Sequence, residues 1–189
     1  VFLYAVPWPA QGLYSKNAIN SVADLKGLKF RAYNSSLIRL AELTGMAPTK
    51  IEAAEISQAF STGAVESMIT SPTTGKNSKI WENGVAYFYD IAAWFPKNMV
   101  IVNKDAWNKL DADTQKLVMS EAAKAEKKGW ALSKKGNKSD KKALSDAGMK
   151  VGKVNSALKK HFQEVGATMS KEWADRAGSR GQAVLAAYK

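Results

Sequence analysis

Two periods of apolar positions alternate along this chain, and the switches between them predict an α/β protein. Leu28-Lys29-Phe30-Arg31 alternates with period two, the pattern of a short strand, and Asp24 and Gly27 ahead of it supply a cap and a turn. Tyr33-Asn34-Ser35-Ser36 interrupts the alternation as a polar turn. Leu37, Leu40, Ala41 and Leu43 then recur at helical spacing, with Gly45 as the terminating glycine. Glu55 to Thr62 repeats the helical period, with Ile56, Ala59 and Phe60 on one face and Gly63 just beyond. Ala64 to Thr70 returns to a strand, and Ser71-Pro72-Thr73-Thr74-Gly75 reads as a hydroxyl-rich turn. Strand, helix, strand in succession predicts a parallel or mixed sheet.

The flanking regions fill out this picture. Val1 to Val6 predicts a buried strand, closed by Pro7-Trp8-Pro9, an extended loop that displays Trp8 and Gln11. Ser21 is placed to cap a short helical turn, and Thr49 to Ile51 predicts a brief strand after Pro48. Val85 to Asp90 and Ile91 to Val102 are two apolar β-like runs, and the continuous Met99-Val100-Ile101-Val102 has the character of a central strand. Leu110-Asp111-Ala112-Asp113-Thr114 opens a long helix through Leu117, Val118, Ala122 and Ala125 to Trp130 and Leu132, with an exposed bend at Gly136. Ala143 to Val151 reads as helix end, glycine and short strand. From Asn155 a helix places Leu158, Phe162 and Val165 on one face, and Gly178 and Gly181 interrupt the last helical stretch.

Composition narrows the functional classes. With 189 residues, 46% hydrophobic, the chain can bury a sizeable core as one large domain or two small ones. It has no Cys, which excludes disulfides, thiolate metal sites and thiol nucleophiles. The net charge of +11 is uneven: residues 1 to 103 carry nine Lys or Arg against seven Asp or Glu, residues 104 to 189 nineteen against ten. A basic half raises nucleic acid or an anionic membrane as partner. Its lysines alternate with Ala, Ser and Asp in helical segments and accompany no nucleic-acid motif, so a solvated helix face accounts for them better. No stretch approaches the ~18 apolar residues of a membrane span, so no direct membrane insertion is expected. The chain begins on an apolar run without Met or a basic leader and reads as a piece excised from a longer protein.

The candidate chemistry gathers at strand ends. Arg31 closes a strand just before a helix, the position at which open α/β sheets bind ligands and helix N-termini favour anions. An arginine there can grip a carboxylate with two parallel charge-assisted hydrogen bonds. The competing reading is a surface arginine on an edge strand. Thr70 and Ser71 form a second polar strand end of the same kind. The one His, His161, lies among Lys159, Lys160 and Phe162 and reads as a surface residue. No clustering of His and acids predicts a metal, and no phosphate-cradling glycine motif predicts a nucleotide, so no cofactor is expected. A hydrolase using Glu66, Glu82 or Asp90 and a basic nucleic-acid-binding module stand as alternatives to a binding protein for a small anion.

Ala18-Ile19-Asn20-Ser21, Asp24 to Arg31, Gly45, Pro48 and Gln58-Ala59-Phe60-Ser61-Thr62-Gly63-Ala64-Val65-Glu66 resemble the solute-binding proteins of TRAP (tripartite ATP-independent periplasmic) transporters. So do Met99 to Asn103, Trp107 and Leu110 to Lys116. The resemblance covers essentially the whole chain, as the C-terminal two-thirds of the family's usual mature protein. It implies a periplasmic-binding-protein type II-like fold, two α/β lobes joined by crossing strands and a long helix, with the first lobe incomplete here. Residues 1–8 would be a crossing strand, 9–95 the second lobe, and 96–189 a crossing strand, a return to the first lobe and bracing helices. It further implies a periplasmic, non-enzymatic protein that captures an organic acid anion by lobe closure and delivers it to TRAP transporter membrane subunits. The family's carboxylate-gripping arginine falls on Arg31 and its pocket asparagine on Thr70, with Ser71 next to it. A second arginine of some members falls near Gln11. Glu66, Ser67 and Thr70 stand where an Asp, a Gly and an Asn are usual, a departure that touches sugar-acid specificity. Asn34 joins Gln11, Thr70 and Ser71 as an expected hydrogen-bonding group, and Trp8, Met68, Trp94 and Phe95 as apolar walls favour a monocarboxylate, aromatic or 2-oxo in its body.

Overall fold

The computed structural model describes residues 1–188. Its centre is a six-stranded mixed sheet. In chain order the strands are β1 (Phe2–Pro7), β2 (Gly12–Ser15), β3 (Lys29–Ala32), β4 (Ala47–Lys50), β5 (Ser67–Thr70), β6 (Tyr87–Tyr89), β7 (Lys97–Ile101) and β8 (Lys150–Gly152). The helices are α1 (Ser35–Thr44), α2 (Ile56–Ser61), α3 (Pro72–Asn77), α4 (Lys104–Asn108), α5 (Ala112–Asp146) and α6 (Ser156–Ala187). The sheet runs β4-β3-β5-β2-β6-β8, while β1 and β7 pair apart as a two-stranded antiparallel ribbon. Strand β3 is parallel to β4 and β5, whereas β2 is antiparallel to both β5 and β6.

Period-two alternation builds a core on each face of the sheet. Leu13 and Ile69 join Phe30, Leu37, Leu40 and Leu158 on one side; their chain neighbours Tyr14 and Met68 join Phe60, Ile80, Phe88 and Leu144 on the other. Helices α1 and α6 thus cover one face, and α2 with the end of α5 the other. Gly12 lets β2 approach β6 closely, because a Cβ there would overlap the Phe88 ring.

Local chemistry sets the element ends much as expected. Asn34 caps α1 by accepting from Leu37 N at 2.9 Å, and Gly45 closes it with φ 78°. Asp24 accepts from the Asn20 and Ser21 amides, bonds that hold its carboxyl below the ordinary range. Asp111 caps α5 through Thr114 N. Along α5 and α6, Lys142 pairs with Asp146, Lys160 with Glu164 and Lys171 with Asp175, the solvated charge pattern expected for the basic half. No helix among the described residues is long and apolar enough to cross a membrane.

Several expectations need correction. Met99 to Val102 is not a central strand: β7 lies in the ribbon, and Met99 and Ile101 are 67% and 71% exposed. Val1 to Val6 is likewise not buried, since Ala5 alone has that status in β1. Continuous apolarity marked residues left without a second covering layer. Ser71 to Gly75 is not a turn but the start of α3, with Ser71 as N-cap and Pro72 at the first helical position, where its missing N–H costs nothing. No bend occurs at Gly136. The helix α5 runs through it, and the missing side chain makes room for the Thr73 to Asp140 hydrogen bond of 2.7 Å. Helix α6 does break at Gly178, with φ 63° and ψ −150°, but Gly181 is buried within it. Strand β2 was not anticipated at all.

Candidate functional site

The sheet register brings the candidate groups to one edge. Arg31 pairs with Met68 across β3 and β5, and Thr70, two residues further along β5, pairs with Gly12. The carboxyl ends of β3 and β5 therefore meet the amino end of β2, and Gln11 immediately precedes that end. Here lies a cavity of about 330 Å³ whose lining includes Trp8, Gln11, Arg31 and Thr70.

Arg31 is 3% exposed on an interior strand, which rules out the edge-strand reading. Its Nε donates to Ile51 O at 2.9 Å, and its guanidinium lies 4.8 Å from the centre of the Tyr33 ring. Burial lowers its pKa from the ordinary arginine value, with Tyr33 and Glu52 acting in the opposite direction; a guanidinium remains charged under such shifts. Neither terminal amino group has a hydrogen-bond acceptor among the described residues. A desolvated cation with two parallel donors free is matched by a carboxylate.

The walls are braced around it. Trp8 Nε1 donates to Asn98 Oδ1 at 3.1 Å, tying the loop after β1 to β7. Gln11 is buried at 3% exposure; its Nε2 donates to Pro9 O at 3.3 Å, and its backbone pairs with Trp94 and Ala93. Thr70 is buried at the end of β5, and Thr74 Oγ1 lies 3.0 Å from Ser71 Oγ. Tyr33, Glu52, Ala53, Thr74, Pro96 and Asn98 complete the lining and were not anticipated. Tyr33 carries a signal in retrospect, since period two puts it on the same side as Arg31. Asn98 carries none, because its position depends on the pairing of Val6 with Asn98.

Five other expected residues do not line this cavity. Asn34 is engaged as the cap of α1, and Ser71 as the cap of α3, where its Oγ accepts from Thr74 N at 3.0 Å. Met68 points into the core. Trp94 supports the site from behind: its Nε1 donates to the Tyr33 hydroxyl at 3.3 Å. Phe95 is 64% exposed. His161 is half-buried beside Phe162 rather than fully on the surface, and it is not part of the cavity. Asp90 is paired with Lys141. Among the described residues no three His, Asp or Glu side chains come together as metal ligands.

A larger cavity of about 730 Å³ lies between α1 and α6, its lining including Arg39, Trp173 and Arg176. Of its two arginines, Arg39 is already matched: Glu172 at 2.6 Å and Glu42 at 3.0 Å hold its pKa above the usual value, and the exposed Arg176 acts on the same Glu172 carboxylate. What distinguishes the smaller cavity is that its arginine is buried while its terminal amino groups lack an acceptor among the described residues.

The chain is also similar to characterised proteins. The chain is similar over its whole length to DctP6, a Bordetella pertussis extracytoplasmic solute receptor binding pyroglutamic acid, with 41% identity and a TM-score of 0.96. It is similar, at 38% identity and a TM-score of 0.95, to a marine metagenome TRAP solute-binding protein specific for pyroglutamate. This chain spans 62% of each of those two chains. The sialic acid-binding periplasmic protein SiaP of Vibrio cholerae is 32% identical over 111 residues, 57% of this chain and 33% of that protein. The family model for DctP, described as bacterial extracellular solute-binding protein, family 7, matches residues 10–176. That match takes in the sheet, both helical layers and the Arg31 strand end, and the chain belongs to this family of solute-binding proteins.

Proposed function

We propose that this chain is the ligand-gripping part of a periplasmic receptor that captures a small monocarboxylate and hands it to the membrane subunits of a TRAP transporter. The observation that carries the reading is Arg31, buried at a strand end, lining a cavity, with both terminal amino groups unpaired among the described residues. The ligand carboxylate takes those two donors. Thr70 and Gln11 supply hydrogen bonds, and Trp8 forms an apolar wall.

Capture requires contacts made in the closed state that the open state lacks, since a ligand shifts an equilibrium only by its differential affinity. Two pyroglutamate-binding relatives at 38% and 41% identity make that small cyclic acid the leading candidate, ahead of aromatic or 2-oxo acids. The relative named for sialic acid matches a shorter stretch at lower identity.

Mass spectrometry of small molecules released by denaturing the purified protein tests the reading. A stoichiometric monocarboxylate is expected. Release of a dicarboxylate or a sialic acid, with no thermal stabilisation by added monocarboxylates, would overturn it.

A further inference from the structure

Gln11 and Asn98 each offer the cavity one definite polarity, because their other ends are held by partners that admit no alternative. The Pro9 carbonyl can only accept, so the Gln11 end turned towards it is Nε2. That leaves Oε1, an acceptor with no partner among the described residues, on a side chain lining the cavity. The Trp8 indole can only donate, so the Asn98 end turned towards it is Oδ1, which leaves Nδ2 and its two hydrogens.

We propose that Gln11 accepts from an N–H of the ligand and Asn98 donates to a carbonyl of the same ligand, so that the preferred solute is a small cyclic carboxylate containing an amide, a lactam. The proposal rests on the carboxylate reading of Arg31 and adds to it the recognition of the ligand's second functional group. A hydroxyl satisfies either wall equally, because it donates and accepts, and so would not exploit the fixed polarities. An ether or a hydrocarbon ring would leave the Gln11 oxygen unpaired after water is excluded.

The strand geometry accommodates such a ring. Gln11 immediately precedes β2 and Arg31 lies on β3, two interstrand steps away across β5 and staggered along it, since Arg31 pairs with Met68 and Gly12 with Thr70. Both residues line the same cavity of about 330 Å³, which leaves space for a compact ring. Thr70 stands on the strand between them.

Calorimetric titration of the protein as its gene encodes it tests the proposal, with pyroglutamate and its lactone counterpart, 5-oxotetrahydrofuran-2-carboxylate, in which the ring N–H is replaced by oxygen. Sites built to bond an N–H reject analogues lacking it strongly. The lactam is expected to bind at least thirtyfold more tightly than the lactone. Gln11→Leu is expected to narrow that preference at least tenfold. Equal affinity of the wild-type protein for lactam and lactone overturns the proposal without needing any variant to fold, and leaves the carboxylate reading standing. An undiminished preference in a folded Gln11→Leu protein also overturns it. If neither acid binds, the carboxylate reading itself fails and takes this proposal with it.

Discussion

Replacing Arg31 by Ala removes both free donors and leaves the Ile51 carbonyl and the Tyr33 ring to water. Truncating one partner of a buried charge pair costs ~2–5 kcal/mol of binding, so affinity for the captured acid should fall at least about a hundredfold in a calorimetric titration. Arg31→Lys keeps the charge but loses the planar fork, and should fall between the two. Asp140 is a second informative residue. Burial would raise its pKa, but hydrogen bonds from Thr73 and Lys76 outweigh that and hold it below the ordinary aspartate value. A depressed pKa contributes stability that is present above the unfolded value of about 3.9 and disappears as pH falls through the lower folded value. Asp140→Asn should therefore be less stable than wild type by about 1–3 kcal/mol at pH 7, with the gap closing below about pH 4. Urea midpoints across that range check this, and a gap that stayed constant down to pH 3 would contradict it.

At the scale of elements, α5 is held to β1 at one close approach. Trp130 Nε1 donates to Ala5 O at 2.9 Å, Ala5 N donates to Glu126 Oε1 at 3.1 Å, and a Cβ at Gly129 would overlap the Val6 side chain. Gly129→Ala should destabilise by about 1–3 kcal/mol through overpacking despite alanine's better helix propensity. Gly166→Ala in α6, where the added carbon meets open space, should stabilise by up to ~1 kcal/mol. Denaturant midpoints of the two variants should move in opposite directions. The contrast also explains what was legible in the sequence. Strand β3 and helix α1 were readable because alternation, the polar break from Tyr33 to Ser36 and Gly45 are all local signals. Strand β2 was not, since four residues after a proline-rich loop show no period, and their β identity comes from pairing on both sides with β5 and β6. The candidate site divides in the same way. Arg31 and Thr70 follow from strand ends, whereas Asn98 depends on a long-range register and Asn34 and Ser71 are polar residues drawn into capping.

For the whole molecule, the account separates a charged exterior from a charged site. The Lys-rich C-terminal half runs along α5 and α6, some of its lysines paired with acids one helical turn away, whereas Arg31, the arginine proposed to meet a ligand, is buried at the end of an interior strand. A nucleic-acid module would bind through the exterior, with an affinity falling steeply as salt rises; filter binding should detect no such complex. Ligand capture should instead stabilise the fold. A solute at a hundred times its dissociation constant adds ~2.7 kcal/mol, and a protein of this size should then melt roughly 5 to 11 °C higher. The central claim is that Arg31 recognises a carboxylate, and the most direct measurement is a calorimetric titration of the protein with pyroglutamate and with its primary carboxamide, which differs in charge but hardly in shape. The account predicts that the amide binds at least about a hundredfold more weakly. Affinities within threefold of each other would contradict it.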